Sequence, residues 1–330
     1  MTTWIKRLAA VLLICVIAAI GYGTYLMHSA SRAVPVLNYH QINDWAENAL
    51  TVHTSQFDAQ MKYLADNGYT AITPAEMLDA WENHTELPDK PVVITFDDGY
   101  VDNYRNAFTI LQKYNLKGTI FLISDFVSTY PNYLTWAQTE EMQDSGLIDF
   151  ESHTLSHMQL DSTSPEETWN QLDGSKRALE WHLGKEIKFI AYPCGSYDEE
   201  LERMTREAGY RAAFTVDFGT ADPTENHFVL DRVPIFGSTS HTLLRFKLRL
   251  FAQPQARARA FADALPKGKV MFISNAIKVI GCLMMLFGHH PLIAYAVIGL
   301  GAAAYSPAKY GILTELLPAS QLVKANGWIE

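Results

Sequence analysis

The stretch "PVVITF" at positions 91 to 96 is apolar or β-branched throughout and breaks at once into two carboxylates, Asp97 and Asp98. A strand without polar alternation has both faces covered, which marks a parallel sheet sheathed in helices. The flanking sequence repeats the theme. Val34 to Tyr39 reads as a strand, and Phe57, Met61 and Leu64 then fall on one helical face that stops at Gly68. Thr73-Pro74-Ala75-Glu76 is a capping box with proline at the first helical position, opening a helix through Trp81. A helix over Asn103 to Tyr114, the strand "GTIFLI", a helix in "TWAQTEEMQDSG" and the strand "LIDF" follow. Ser164-Pro165-Glu166-Glu167 is a second capping box, whose helix ends near Gly184. "IKFIA", a helix over Glu199 to Ala208 and "AAFTV" complete the series. Strands alternating with helices over about 210 residues predict an α/β fold with a parallel sheet, and this many units favours a closed barrel over a doubly wound open sheet.

In a parallel barrel, chemistry collects where strands end and loops begin. Asp97 and Asp98 stand at such an end. Adjacent carboxylates there repel and lack solvent, so each needs a cation or a task, unless Asp-Gly is only a turn. "SHTLSH", residues 152 to 157, sets His153 and His157 four apart, a spacing that puts both on one face of a helix. Alone, that spacing fits a surface pair as well as a metal pair. Because "LIDF" precedes it, the pair belongs on the same rim as the aspartates. One aspartate and two histidines leave a metal open to water and substrate, as catalytic sites require.

"TFDDGY", "SHTLSH" and "AYPCGSY" (191 to 197), in that order, resemble the three motifs of the polysaccharide deacetylases of carbohydrate esterase family 4, the NodB homology domain. "VLNYH", "FDAQMKYLADNGY" and "REAGYRAAFT" are similar to the branch containing the poly-N-acetylglucosamine deacetylases, and the resemblance spans about residues 34 to 236. It implies a distorted (β/α) barrel that hydrolyses N-acetyl groups of a polysaccharide and releases acetate. It also implies Asp97 as general base and Asp98, His153 and His157 as ligands of a divalent ion, zinc (Zn2+) first for a mixed His/Asp set. The backbone N–H of Cys194 takes the oxyanion position, in a substrate loop built from Tyr192, Pro193, Cys194 and Gly195. The arginine that tethers the base is often found where this chain has Ala191; Arg232, in "VLDRVPI", resembles the alternative. Cys194 replaces an aromatic residue common in the family. The late motif with a general-acid histidine is not recognisable, leaving His40, His227 and His241 as candidates. Trp136, Tyr192 and Tyr197 are candidates for stacking on sugar rings. A catalytically silent glycan-binding barrel and a polysaccharide O-acetyl esterase are the alternative readings.

The ends differ in character. Lys6 and Arg7 precede a nearly uncharged run from Leu8 to Met27, so residues 1–33 read as a signal anchor or transmembrane helix, with Ser31-Arg32-Ala33 a weak cleavage match. An uncleaved anchor with its basic end inside places the deacetylase domain, 34–245, on the periplasmic side of the inner membrane. A linker, 246–260, leads to the apolar runs at 270–288 and 291–306, rich in small residues as packed membrane helices are. Residues 261–330 resemble a fragment of the lysophospholipid transporters of the major facilitator superfamily. A transporter needs many more spans, so transport is not expected. The segment 245–269 carries Arg245, Lys247, Arg249, Arg257, Arg259, Lys267 and Lys269 against Asp263 alone, which favours the cytoplasm and conflicts with the anchor about sides. The partners expected are thus an acetylated polysaccharide and membrane lipid. A net charge of -10, with no basic stripe among aromatics and no GxGxxG or P-loop after a strand, excludes nucleic acid and nucleotide. Cys15, Cys194 and Cys282 form no disulfide framework.

Overall fold

The computed structural model describes residues 32–237 and 242–251, with positions 275 and 278 besides. The chain divides into two compact units, Met1–Phe246 and Lys247–Glu330, and every element discussed below belongs to the first. Its strands are β1 (Val36–Tyr39), β2 (Gln41–Ile42), β3 (Thr51–Val52), β4 (Thr70–Ala71), β5 (Pro91–Phe96), β6 (Gly118–Leu122), β7 (Ile148–Ser152), β8 (Phe189–Ala191), β9 (Ala212–Phe218) and β10 (Leu230–Pro234). The large sheet runs β1-β10-β9-β8-β7-β6-β5 and closes by pairing β5 with β1, all parallel. The expected barrel is present, and the open sheet is not. β4 adds onto the first two residues of β5, and β2 pairs with β3 in a separate ribbon.

The period of two along each strand decides what enters the barrel. Leu37 and Tyr39 of β1 alternate with Val36 and Asn38, and Tyr39 points outward, edge-on to Phe57 at 5.1 Å and stacked on Phe96 at 5.6 Å, against the helix Thr54–Asp66. Val36 and Val93 join Phe121, Phe189, Phe214 and Leu230 in the cluster that fills the interior. Trp81, Met77 and Leu78, from the capped helix Pro74–Glu82, belong to the same cluster and close it at the strand starts. Continuing the inward register of Val93 and Thr95 places Asp97 inside the rim. Continuing Val36 and Asn38 does the same for His40.

Three local expectations need correction. The helix read over Asn103 to Tyr114 is π-helical over Asn103–Phe108 before it becomes α-helical over Thr109–Tyr114. At Ser164 the hydroxyl accepts from the Glu167 N–H, but the Glu167 carboxylate accepts from Gln171 instead of reaching back, so half of the capping box forms. That helix also passes through a π-helical stretch, Asn170–Gly174, before Ser175–Leu183. No helix among the described residues is long and apolar enough to cross a membrane. The stretches 1–31, 270–288 and 291–306, on which the anchor and transporter-like readings rest, lie outside the described residues except for positions 275 and 278.

Gly99 follows the two aspartates with φ +77°, and a Cβ there would stand 2.5 Å from Leu122 Cδ2. The leucine methyl can move, so the left-handed backbone is the larger obstacle. Gly99→Ala is expected to lose roughly 1–2 kcal/mol in a urea titration of the folded protein.

Candidate active site

Asp97 leaves β5 with its carboxylate inside the barrel, where the fully buried Arg232 of β10 meets it. The guanidinium donates from Nη1 to Oδ1 and from Nη2 to Oδ2, each at 2.7 Å, a two-pronged fit that only arginine makes. Arg232 Nε donates to the Thr215 carbonyl at 2.7 Å, and Nη1 also reaches Thr95 Oγ1 at 3.3 Å. Asn38, on the neighbouring β1, donates to Asp97 Oδ2 at 2.7 Å. Burial pushes the Asp97 carboxyl up, but the charge of Arg232, with His153 and the Arg232 hydrogen bonds, outweighs it and holds Asp97 well below the usual carboxylate range. Asp97 is thus ionised at any working pH. The surface ion pair that a lone arginine in "VLDRVPI" could have made is replaced by a buried fork.

Asp98, one residue on, has the opposite environment. Burial, then the charge of Asp97, raises its carboxyl to about 7. Its Oδ1 is buried without a hydrogen-bond partner and faces His153 Nε2 at 3.4 Å and His157 Nε2 at 3.5 Å. His153 donates from Nδ1 to the Ala191 carbonyl at 2.7 Å, which leaves Nε2 with its lone pair toward Asp98. Burial pulls His153 down to about 3 and lowers His157 as well, so both imidazoles are neutral, the form that binds metals. Ligand atoms of Asp98, His153 and His157 all lie within 4.8 Å of one another. An orphaned carboxylate oxygen among imidazole lone pairs fits a divalent cation and has no other evident purpose.

The histidine pair does not form on a helix. His153 ends β7, and the chain then turns through Thr154 at φ 67° and His157 at φ 60° to fold the second imidazole over the first, ring centroids 4.8 Å apart. Thr154 Oγ1 accepts from the His157 N–H and fixes that turn. Among the described residues eight non-glycine positions have positive φ, and four of them, Asp98, Thr154, His157 and Cys194, line this rim. Strained backbone concentrates where function requires it.

The remaining expected residues divide. The loop after β8 brings Pro193 and Cys194 beside the site, Cys194 exposed at φ 60°, and Gly195 at φ +70° because a Cβ would stand 2.3 Å from Val216 Cγ2. The Tyr192 ring is fully buried, its hydroxyl donating to Thr205, so only its backbone can face a substrate. Tyr197 is exposed and stacks on Tyr192, whereas Trp136 stacks on His182 at 3.9 Å and is committed there. Of the three candidate acids, His40 stands at the site with Nε2 3.9 Å from Asp97 Oδ2. His227 packs on Trp81 at the opposite end of the strands, and His241 lies outside the described residues. Sequence reasoning missed Asn38, although its place on the inward face of "VLNY" was a readable signal.

Comparison with known proteins agrees with this geometry. Residues 84–213 match the family model described as polysaccharide deacetylase. YxkH of Bacillus subtilis strain 168, which bears a polysaccharide deacetylase name, is 36% identical over 202 residues, covering 61% of this chain and 71% of that protein. The Streptococcus pyogenes deacetylase PplD, solved in complex with acetate, superposes with a TM-score of 0.62 at 28% identity, covering 66% of this chain and 98% of that one. A separate 70-residue stretch is 54% identical to the lysophospholipid transporter LplT of Yersinia enterocolitica, and covers 21% of this chain but only 17% of the transporter.

Two outcomes are expected of the cluster. His153→Ala or His157→Ala should abolish retention of a divalent ion measured by elemental analysis, since two remaining ligands hold it weakly. Because burial raises Asp98 to about 7, whereas it lowers His153 to about 3 and lowers His157 as well, binding at pH 6 should release protons, chiefly from Asp98, and at pH 8.5 almost none. Calorimetry in buffers of different ionisation enthalpy reads this directly.

Proposed function

The chain belongs to the polysaccharide deacetylase family, and from that premise we propose a metal-dependent hydrolysis of N-acetyl groups on a glycan outside the cytoplasm. The observation that carries the reading is the pair of adjacent aspartates in opposite states. Asp97 is locked as an anion by Arg232 and Asn38, while Asp98 turns an unpartnered oxygen toward two neutral imidazoles. A silent glycan-binding barrel would have no use for that asymmetry.

Asp98, His153 and His157 would hold the ion, zinc first given the donor set. When bound, such an ion polarises the acetamide carbonyl and acidifies water. The chain's own groups do the rest. Asp97 Oδ1 carries one hydrogen bond and has a lone pair left, with which it accepts the proton of the attacking water. Arg232 and Asn38 keep that oxygen aimed. The N–H of Cys194, presented by the left-handed turn, donates to the oxygen of the tetrahedral intermediate. His40, beside Asp97 and partly open to solvent, delivers a proton to the departing amine so that a free amino sugar and acetate result. The acetate in the PplD complex is the product such a reaction would leave.

The glycan is proposed as poly-N-acetylglucosamine or a peptidoglycan-like polymer, and the barrel as periplasmic, tethered through residues 1–33. Acetate release from a panel of acetylated glycans tests the substrate. Release from O-acetylated polymers alone would replace the amidase reading with an esterase. Asp97→Asn should keep its metal and lose on the order of 10²- to 10⁴-fold in rate. Arg232→Lys keeps the charge but loses the fork, and should reduce kcat with the ion still bound. His40→Ala should lower kcat without altering metal content, and an unchanged kcat would remove it from the mechanism.

A further inference from the structure

Beside the metal-ligand cluster lies an aromatic surface that the reaction does not use. Tyr100 stands two residues after Asp98 on the same turn and interacts electrostatically with its carboxylate, which places the ring beside the cluster. Tyr100 stacks on Tyr133 with centroids 5.0 Å apart and planes at 25°. Tyr133 meets Phe126 at 4.9 Å and Tyr130 at 6.2 Å, and Tyr130 stands edge-on to Phe126 at 5.0 Å. The rings therefore lead outward from Asp98 in successive contacts. Tyr100, Phe126 and Tyr133 are half-buried, while Tyr130 leaves 50% of its surface in solvent.

The loop that carries these rings is stapled to the catalytic turn. Val101 N–H donates to the Asn132 carbonyl at 2.8 Å and Leu134 N–H to the Gly99 carbonyl at 2.9 Å, around an antiparallel bridge between Tyr100 and Tyr133. Ser128, at φ 59°, closes the loop on Leu134 with a 2.8 Å bond. Movement of Asp98 and of the aromatic surface is therefore coupled. The segment itself, "FVSTYPNYL" (126–134), contains no charged residue. An uncharged, rigid aromatic surface with a hydroxyl at its edge suits the apolar face of a neutral sugar. It does not suit an anionic lipid or an acidic peptide.

We propose that Tyr130, with Tyr133 and Tyr100 behind it, is a subsite for a sugar ring flanking the one deacetylated. The proposal rests on the polysaccharide reading above, because only a polymer presents a neutral ring next to the reacting one. The subsite makes the enzyme prefer long oligomers, and its contribution falls on binding. Phe126 and Tyr133 are the support that holds Tyr130 in place.

The test uses the full chain carrying Asp97→Asn, which binds without turnover, and N-acetylglucosamine oligosaccharides of two and five sugars in calorimetric titrations. Adding Tyr130→Ala should weaken the pentamer by about 5- to 10-fold, the worth of one aromatic stacking contact, and change the dimer by less than about twofold. Tyr130→Phe should retain pentamer affinity. Trp181→Ala, which removes a side chain 84% exposed on the outer helix Ser175–Leu183, should change neither. With Asp97 restored, the Tyr130→Ala effect on the pentamer should appear in KM rather than in kcat. Equal losses for both lengths, no loss for either, or no binding of either oligosaccharide would overturn the subsite. A length-dependent loss in a protein that releases no acetate would keep the subsite and refute the deacetylase reading instead.

Discussion

The buried fork between Arg232 and Asp97 is the interaction on which the site depends. It is made across the barrel wall, from β10 to the end of β5, and both strands flank β1, which contributes Asn38 to the same carboxylate. An ion pair withdrawn from water repays its desolvation only when every donor is used and the geometry is ideal. Here four of the five N–H groups donate, to Thr215, Thr95 and both oxygens of Asp97. The fork therefore requires the barrel to be closed in the correct register, and a slip of one residue in β10 would turn Arg232 outward. The closed barrel and the placing of the proposed base are specified by the same contact.

Its second effect is on Asp98. Burial first, and then the anion of Asp97 beside it, make ionisation of Asp98 costly unless a cation stands on its far side, and the carboxyl rises accordingly. The two imidazoles cannot supply that charge, because burial keeps them neutral. Arg232, the cation nearby, is committed to Asp97 and offsets only part of the rise, while the lone pairs of Asp98, His153 and His157 converge on one point. A divalent ion would resolve the conflict from outside the chain, so the proposed metal site is one that burial and the Asp97 anion already prepare.

A polar network of the same kind fixes the loop that carries His40. Asn103 donates to the His40 carbonyl at 2.8 Å, Asn106 to the Ile42 carbonyl at 2.7 Å, and the buried Asp102 accepts from Asn43 at 2.6 Å. Asn103 and Asn106 sit on the π-helical turn, Asn103–Phe108, directly after the aspartate motif. The wider turn aims amide side chains that an α-helix would space differently, which fits the association of π-bulges with functional sites. One short segment, 97 to 106, thereby supplies the proposed base, a candidate metal ligand and the anchors for the proposed proton donor.

This division explains what could be read from the sequence and what could not. The barrel was legible because "PVVITF", "GTIFLI" and "AAFTV" are buried by composition, and strand-end motifs necessarily share a rim. Asp98, His153 and His157 were legible as residues but not as geometry. The four-residue spacing suggested a helix, whereas the chain uses left-handed turns at Thr154 and His157, conformations no spacing encodes. Trp136 was indistinguishable from a sugar platform because its partner, His182, is 46 positions away and joined only by packing. The choice of His40 over His227 likewise needed the barrel, since only closure tells which end of a strand each residue faces. Asn38 lies within "VLNYH" but that resemblance assigns it no role, and Tyr130 carries no motif at all. Asn38 meets Asp97 directly and Tyr130 reaches Tyr100 through Tyr133, so the reach of the recognisable motifs extends one or two contacts beyond the residues that make them recognisable.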